Sequence, residues 1–130
     1  MTDISVLPPL AVLLGMRLLD QSEEMISLGL DTKPEFANSM GSVHGGIILA
    51  LADQAAGMIA RRHFSHKKSA TLESKCNFLR SISLNESVVA EARAIHAGRS
   101  AVVSEVKIFR SDRKLAAIIS HTQISVEPVG

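Results

Sequence analysis

Apolar and polar residues alternate along most of this chain, and one long segment breaks the alternation. The alternation predicts β-strands over residues 16–21, 25–32, 69–80, 87–96, 101–110 and 115–126. The exception is an almost continuous apolar run, which predicts a long helix over Gly45–His63. A short helix over residues 8–14, ended by Gly15, is expected before the first strand.

The order of these elements predicts an α+β fold. Two strands precede the long helix and four follow it, with short turns at 98–99 and 111–114. Short connections favour antiparallel neighbours, so we expect an antiparallel sheet wrapped around one central helix. Residues 1–130 contain no repeat or linker, and we expect them to form a single domain.

Composition and charge exclude several classes of function. The net charge is +1 and aromatic residues make up 3% of the chain, with no Trp or Tyr, so nucleic-acid binding is not expected. Cys76 is the single cysteine, which excludes an internal disulfide and a cysteine-rich zinc site and is typical of the reducing cytoplasm. The first residues lack the pattern of a signal peptide. His44, Asp53 and Gln54 interrupt the apolar run, so we do not expect a membrane span. A metal site is not expected either, since there is one cysteine and the histidines lack metal-ligand spacing.

One carboxylate, Asp53, lies in the middle of the apolar helix that Gly45 and Gly46 begin. Paired glycines allow close approach to the free amides of the first helical turn, where the helix dipole favours negative charge, as in an oxyanion site. Asp53 follows Gly46 by seven residues, so it shares their helix face but lies about 10 Å further along the axis. One reacting carbonyl is too small to contact both groups on one helix, which predicts that a second copy of the chain supplies one of them.

The order of residues in two segments is specific. Asn38, Gly41, His44-Gly45-Gly46 and Asp53 form the first segment, and Thr71, Glu73 and the Asn-Phe-Leu-Arg of 77–80 form the second, followed by Gly-Arg at 98–99. This order resembles that of the hotdog-fold thioesterases, in particular the phenylacetic-acid-degradation (PaaI) type of the 4-hydroxybenzoyl-CoA thioesterase superfamily. The resemblance covers roughly residues 10–124 and departs at Ser81, where the family often has Pro, without touching a catalytic position.

The resemblance implies a role for each candidate residue. Asp53 would attack the thioester carbonyl or activate a water that does so, and the sequence leaves both roles open. Gly45 would polarise the carbonyl through its N–H, while His44 would shape the pocket. Asn38 would make a polar contact near the thioester, and Thr71 would orient the attacking water.

Other polar residues have plainer interpretations. Glu73 lies two residues after Thr71, so we expect both on one face of the strand. His96 and His121 have no metal-ligand spacing and are interpreted as structural or surface residues. The basic residues of 61–68 are interpreted as complementing the negative end of the helix dipole. The residues that would bind coenzyme A phosphates stay open among that basic cluster, Arg80, Arg99 and Arg110.

The predicted function is hydrolysis of a fatty or arylacetyl acyl-CoA to the free acid and CoA, without a cofactor. Two alternatives stay open: a hotdog dehydratase acting on acyl-carrier-protein thioesters, and a non-catalytic module that binds acyl-CoA or acyl-ACP. The dehydratases use a different His/Glu or His/Asp arrangement, and a binding module has no reason to keep an acid at Asp53. The resemblance also implies a homodimer, which in the family often pairs further into a homotetramer.

Overall fold

The computed structural model describes residues 6–127, which form an antiparallel sheet around one long helix. The six strands have the order β1-β2-β4-β5-β6-β3, so β1 and β3 lie at the two edges. Every predicted element is confirmed, with ends within two residues of the expected ones. The elements are α1 (Pro9–Leu14), β1 (Arg17–Gln21), β2 (Met25–Asp31), a short 3₁₀ turn (Pro34–Phe36), α2 (Gly45–His63), β3 (Ser69–Phe78), β4 (Ser87–Ala97), β5 (Ala101–Phe109) and β6 (Leu115–Ser125).

The core lies between α2 and the concave face of the sheet. Leu51, Ala52 and Ala55 of α2 are completely buried, and Leu28 and Val106 are completely buried on the strands that face the helix. The alanines have small side chains, so the helix can lie close to the strands, and each fully buried leucine contributes about 1.5–3 kcal/mol. In the part of the chain that the structure describes, no helix is long and apolar enough to cross a membrane.

The pairing of β3 with β6 contains a β-bulge at Leu72. Thr71 lies opposite Gln123 of β6. Glu73 lies opposite Thr122, the neighbouring residue of β6. Directly opposed residues share a face of the sheet, so Thr71 and Glu73 lie on opposite faces. The expectation that Glu73 shares the face of Thr71 is therefore wrong, because one extra residue in β3 shifts the alternation by one position.

Candidate active site

Asp53 lies on the side of α2 that the sheet leaves uncovered, next to the start of β3. Its side chain is 56% exposed, whereas its neighbour Ala52 is completely buried, so the apolar helix is buried on one side only. Oγ1 of Thr71 donates a hydrogen bond of 2.8 Å to Oδ1 of Asp53. Within residues 6–127 no hydrogen bond reaches Oδ2 of Asp53. This second oxygen is therefore available to act as a nucleophile or a base.

A row of polar side chains lies behind this pair. His121 of β6 is only 1% exposed, and its Nδ1 lies 3.8 Å from Oδ1 of Asp53. The same Nδ1 lies 2.7 Å from Oγ of Ser74, and Nε2 lies 2.8 Å from Oε1 of Gln123. That amide oxygen is also 3.4 Å from Oγ1 of Thr71. The side chains of the two strands thus form one continuous row of polar contacts, which ends at Oδ1 of Asp53.

His121 and Gln123 lie close to Asp53 although the sequence pattern did not predict it. Both are buried, so of the two interpretations of His121, structural or surface, the surface one is wrong. The available signal was their spacing: they occupy alternate positions of β6, in line with the buried apolar residues Ala117 and Ile119. Polar residues that continue an inward-facing apolar row must find hydrogen-bond partners inside the protein.

His44 caps the N-terminus of α2. Its Nδ1 accepts a hydrogen bond of 2.9 Å from the N–H of Gly46. A neutral imidazole that accepts at Nδ1 carries its hydrogen on Nε2, so this ring presents one further donor. Among the described residues, the N–H of Gly45 has no acceptor. The first amide of this 19-residue helix is therefore free to bind a carbonyl oxygen that gains negative charge.

The local packing explains both glycines. A Cβ atom at Gly46 would lie 3.1 Å from Nδ1 of His44 and would disturb the cap. A Cβ atom at Gly45 would lie 3.0 Å from Cζ of Phe78, whose ring covers this end of the helix. Glycine at the two positions keeps the cap intact and the first amide accessible.

Asn38 closes the loop that leads into α2. Its Oδ1 accepts hydrogen bonds from the N–H groups of Met40, at 2.9 Å, and Ser42, at 3.1 Å. Its Nδ2 donates to Oγ of Ser42 at 3.0 Å. Gly41 has a φ of 81°, a left-handed conformation that favours glycine in this turn. The Asn38 amide oxygen is thus occupied by the loop, and one N–H of Nδ2 remains for another contact.

A cavity of about 370 Å³ lies at the N-terminal end of α2. Asn38, Gly45 and Phe78 form part of its wall, together with Arg80, whose Nη1 donates to the carbonyl oxygen of Leu115 at 2.6 Å. Asp53 and Thr71 are not on this wall. The chain therefore brings together Asn38 with Gly45, and Asp53 with Thr71, but it keeps these two groups apart. We call them the amide cavity and the carboxylate pair.

Three of the other candidate cations, Arg62, His63 and Arg110, are held by neighbouring oxygens. Arg62 donates to the carbonyl oxygen of Glu23 at 3.0 Å, and Nε2 of His63 lies 2.7 Å from the carbonyl oxygen of Gly98. Arg110 forms an ion pair with Asp112. Over residues 6–127, no three His, Cys, Asp or Glu side chains form a group that could hold a metal ion.

Comparison with known proteins places this architecture in a family. The model of the thioesterase superfamily matches residues 40–117, more than half of the chain. The chain belongs to this family. Membership confirms the predicted class of activity, hydrolysis of a thioester, and the segment matched contains Gly45, Asp53 and Thr71.

Three similar proteins illustrate the relationship. An Archaeoglobus fulgidus protein named "Putative esterase" is 28% identical over 110 residues, which are 85% of this chain and 70% of that protein. The PaaI protein of the E. coli phenylacetic acid degradation operon superimposes with a TM-score of 0.85 at 20% identity, covering 94% of this chain and 87% of PaaI. A hypothetical thioesterase of Streptococcus pneumoniae, solved with coenzyme A, gives 0.79 at 20% identity and 89% coverage of both chains. These superpositions confirm the predicted hotdog fold.

Proposed function

We propose that this protein hydrolyses acyl-CoA thioesters, with Asp53 and Thr71 acting on the carbonyl carbon and the Gly45 amide binding the carbonyl oxygen. The observation that carries the proposal is the hydrogen bond of 2.8 Å from Thr71 to one oxygen of Asp53, which leaves the other oxygen available. The unused N–H of Gly45 supplies the second requirement, a fixed donor for developing negative charge. The Streptococcus pneumoniae relative, solved with coenzyme A, supports CoA as the thiol part of the substrate.

The chemistry follows from these contacts. The thioester oxygen accepts the N–H of Gly45 and gains negative charge as the carbonyl carbon becomes tetrahedral, and one such donor lowers a barrier by about 3–4 kcal/mol. Oδ2 of Asp53 either attacks that carbon or takes a proton from a water that attacks it. Thr71 uses its hydrogen on Asp53, so its oxygen lone pairs are available to accept a hydrogen from that water. Collapse of the adduct breaks the carbon–sulfur bond. In the base route the proton that Asp53 took from water passes to the CoA thiolate, and the free acid and the thiol leave. In the nucleophilic route the CoA thiolate leaves and takes a proton from water, and a second water then hydrolyses the mixed anhydride between Asp53 and the acyl group.

A homodimer would unite the two groups that one chain separates. The carboxylate pair lies outside the amide cavity, and the seven-residue helical spacing from Gly46 to Asp53 corresponds to about 10 Å. The edge strand β3 exposes Leu72 by 65% and Phe78 by 55%, and such an unpaired apolar edge favours pairing with another chain. We propose two equivalent sites, each with the amide cavity of one chain and the carboxylate pair of its partner, and further pairing of dimers into a tetramer.

His44 and Asn38 belong to the proposed site as secondary polar groups. The remaining Nδ2–H of Asn38 lies on the wall of the amide cavity, whereas the remaining Nε2–H of His44 lies on a separate cavity that Gly46 also lines. We further propose that residues 1–130 act as one thioesterase domain without a cofactor. The free thiol of Cys76 supports a cytoplasmic location.

Replacement of the carboxylate tests the proposal most directly. Asp53→Asn keeps the shape of the side chain and its contact with Thr71 but removes the base, so kcat should fall by at least about 100-fold. Release of CoA is followed with a thiol reagent over short, long and arylacetyl acyl-CoAs. Binding of a non-hydrolysable acyl-CoA should be unchanged. Hydrolysis by the variant at the wild-type rate would refute the role of Asp53, and binding without hydrolysis by the wild type would favour the non-catalytic binding module.

Mixing a variant of the carboxylate pair with a variant of the amide cavity tests the shared sites. Equal amounts of Asp53→Asn and Asn38→Ala chains should recover about a quarter of wild-type activity, because half of the dimers are mixed and one of their two sites is intact. Subunit exchange is verified with differently tagged chains. If exchange occurs and no activity returns, each site is formed within one chain.

A further inference from the structure

The polar row behind Asp53 occupies a place where apolar residues would be expected. His121 and Gln123 are 1% and 7% exposed, and both extend from β6 toward the uncovered side of α2. Burial of polar groups costs free energy unless they are hydrogen-bonded. Here they are bonded, and the bulge at Leu72 places Thr71 and Ser74 of β3 beside them. The row therefore depends on the way β3 and β6 pair, since the bulge brings the polar side chains of the two strands into hydrogen-bond distance.

The hydrogen bonds of Gln123 fix the tautomer of His121. Nε2 of Gln123 donates to Oγ of Ser69 at 3.0 Å, so Oε1 faces His121 and Thr71. An amide oxygen can only accept, so Nε2 of His121 carries the hydrogen in the bond of 2.8 Å. In the neutral tautomer that carries this hydrogen, Nδ1 is an acceptor, and the hydroxyl of Ser74 lies in place to donate to it.

Thr71 has one hydrogen and two acceptors within reach. Oδ1 of Asp53 lies 2.8 Å from its hydroxyl oxygen, and Oε1 of Gln123 lies 3.4 Å away. The hydrogen bond from His121 already satisfies the buried Gln123 oxygen, so this oxygen does not need the hydrogen of Thr71, and the charged carboxylate is the closer and stronger acceptor. The carboxylate therefore retains the hydrogen of Thr71.

We propose that His121 is a positioning residue: by donating to the Gln123 oxygen, it keeps the hydroxyl hydrogen of Thr71 on Asp53. This inference rests on the function proposed above. His121 acts through Thr71 and contacts no substrate. Its effect is to hold Oδ1 of Asp53 in one direction and to present Oδ2 to the reacting carbon or water.

Three substitutions distinguish this role from a structural one. His121→Leu removes the donor, so Thr71 can turn to Gln123, and kcat should fall about tenfold while KM changes less than about twofold. His121→Gln extends a side-chain N–H toward the same oxygen and should stay within about threefold of the wild-type kcat. His121→Leu combined with Gln123→Met removes both the donor and the competing acceptor, so kcat should recover toward the wild-type value. A purely structural role predicts instead that the double variant is less active than either single one.

Coupling with Thr71 provides a second test. If His121 acts only through Thr71, then His121→Leu has no further effect on kcat in a chain that already carries Thr71→Val. The proposal would be overturned if the fall in kcat of the double variant were the product of the falls in the two single variants. It would also be overturned if kcat were unchanged in His121→Leu. Thermal unfolding of each variant shows whether it is folded, and the double variant keeps the test decisive if His121→Leu alone is unstable.

The tautomer is measurable without any activity. NMR of the imidazole nitrogens in the wild-type protein, assigned by the signal lost in His121→Gln, should show that the neutral tautomer carries its hydrogen on Nε2. Hydrogen on Nδ1 would overturn the inference. If the tautomer is as expected and no acyl-CoA is hydrolysed, the proposed function fails while the hydrogen-bonded row stands.

Discussion

Thr71→Val is the substitution whose effect is best defined by the contacts around Asp53. Valine has the shape and β-branching of threonine, so the strand should be unaffected, but it cannot donate to Oδ1 of Asp53. A hydrogen bond to a charged group contributes about 1.5–3 kcal/mol. Because the Asp53 side chain is 56% exposed, water competes for the carboxylate, so the lower end of this energy range applies. If the transition state loses about 1.5 kcal/mol of stabilisation, kcat falls roughly tenfold.

The same structure predicts what should not change in the Thr71→Val variant. Oε1 of Gln123 still accepts from His121, so the substitution leaves no buried acceptor without a donor and the melting temperature should stay nearly constant. KM should also be unchanged if the contact acts on the attacking group rather than on bound CoA.

The assay is release of the CoA thiol under saturating and limiting acyl-CoA. Burial raises the pKa of the Cys76 thiol, so this side chain should react with the thiol reagent more slowly than free CoA and contribute little background. Thr71→Ser is the matched control, since it keeps the hydroxyl and should retain most of the activity. An unaltered kcat in Thr71→Val would refute the reasoning and would return Thr71 to an ordinary strand residue.

Three further predictions concern the helix cap, the preceding loop and the acid stability. Gly46→Ala places a Cβ atom 3.1 Å from Nδ1 of His44, so it should lower kcat while changing the melting temperature little. A kcat equal to that of the wild type would show that activity does not need the cap. Gly41→Ala must adopt a φ of 81° and should lower the free energy of unfolding by about 1 kcal/mol in urea titrations, and an unchanged value would contradict this. Hydrogen bonding from Arg110 lowers the pKa of Asp112 to about 2, so this carboxylate stabilises the fold above about pH 4 and loses that effect as the pH falls toward 2. Asp112→Asn should therefore destabilise the protein at pH 6 and have less and less effect as the pH falls through about 2, and a difference independent of pH would argue against the ion pair.

Local patterns along the chain predicted the helices and strands, and they predicted which residues of α2 belong to the candidate site. Period-two alternation predicted the six strands, and one apolar run predicted the helix Gly45–His63. These predictions succeed because each strand or helix shows which of its faces is buried in the spacing of its own apolar residues. The His-Gly-Gly and Asp of α2 were predictable for the same reason: a helix cap and a free first amide depend on adjacent residues, such as His44 and Gly46.

Only the tertiary structure decided which side chains surround Asp53. The bulge at Leu72 forms between two paired strands, so counting alternate residues along β3 alone assigns Glu73 to the wrong face. His121 and Gln123 follow Thr71 by some fifty residues, and their hydrogen bonds exist only where β6 lies against β3. A hydrogen-bonded row across strands depends on register, and register is set by the packing of the whole sheet on α2 rather than by any one segment.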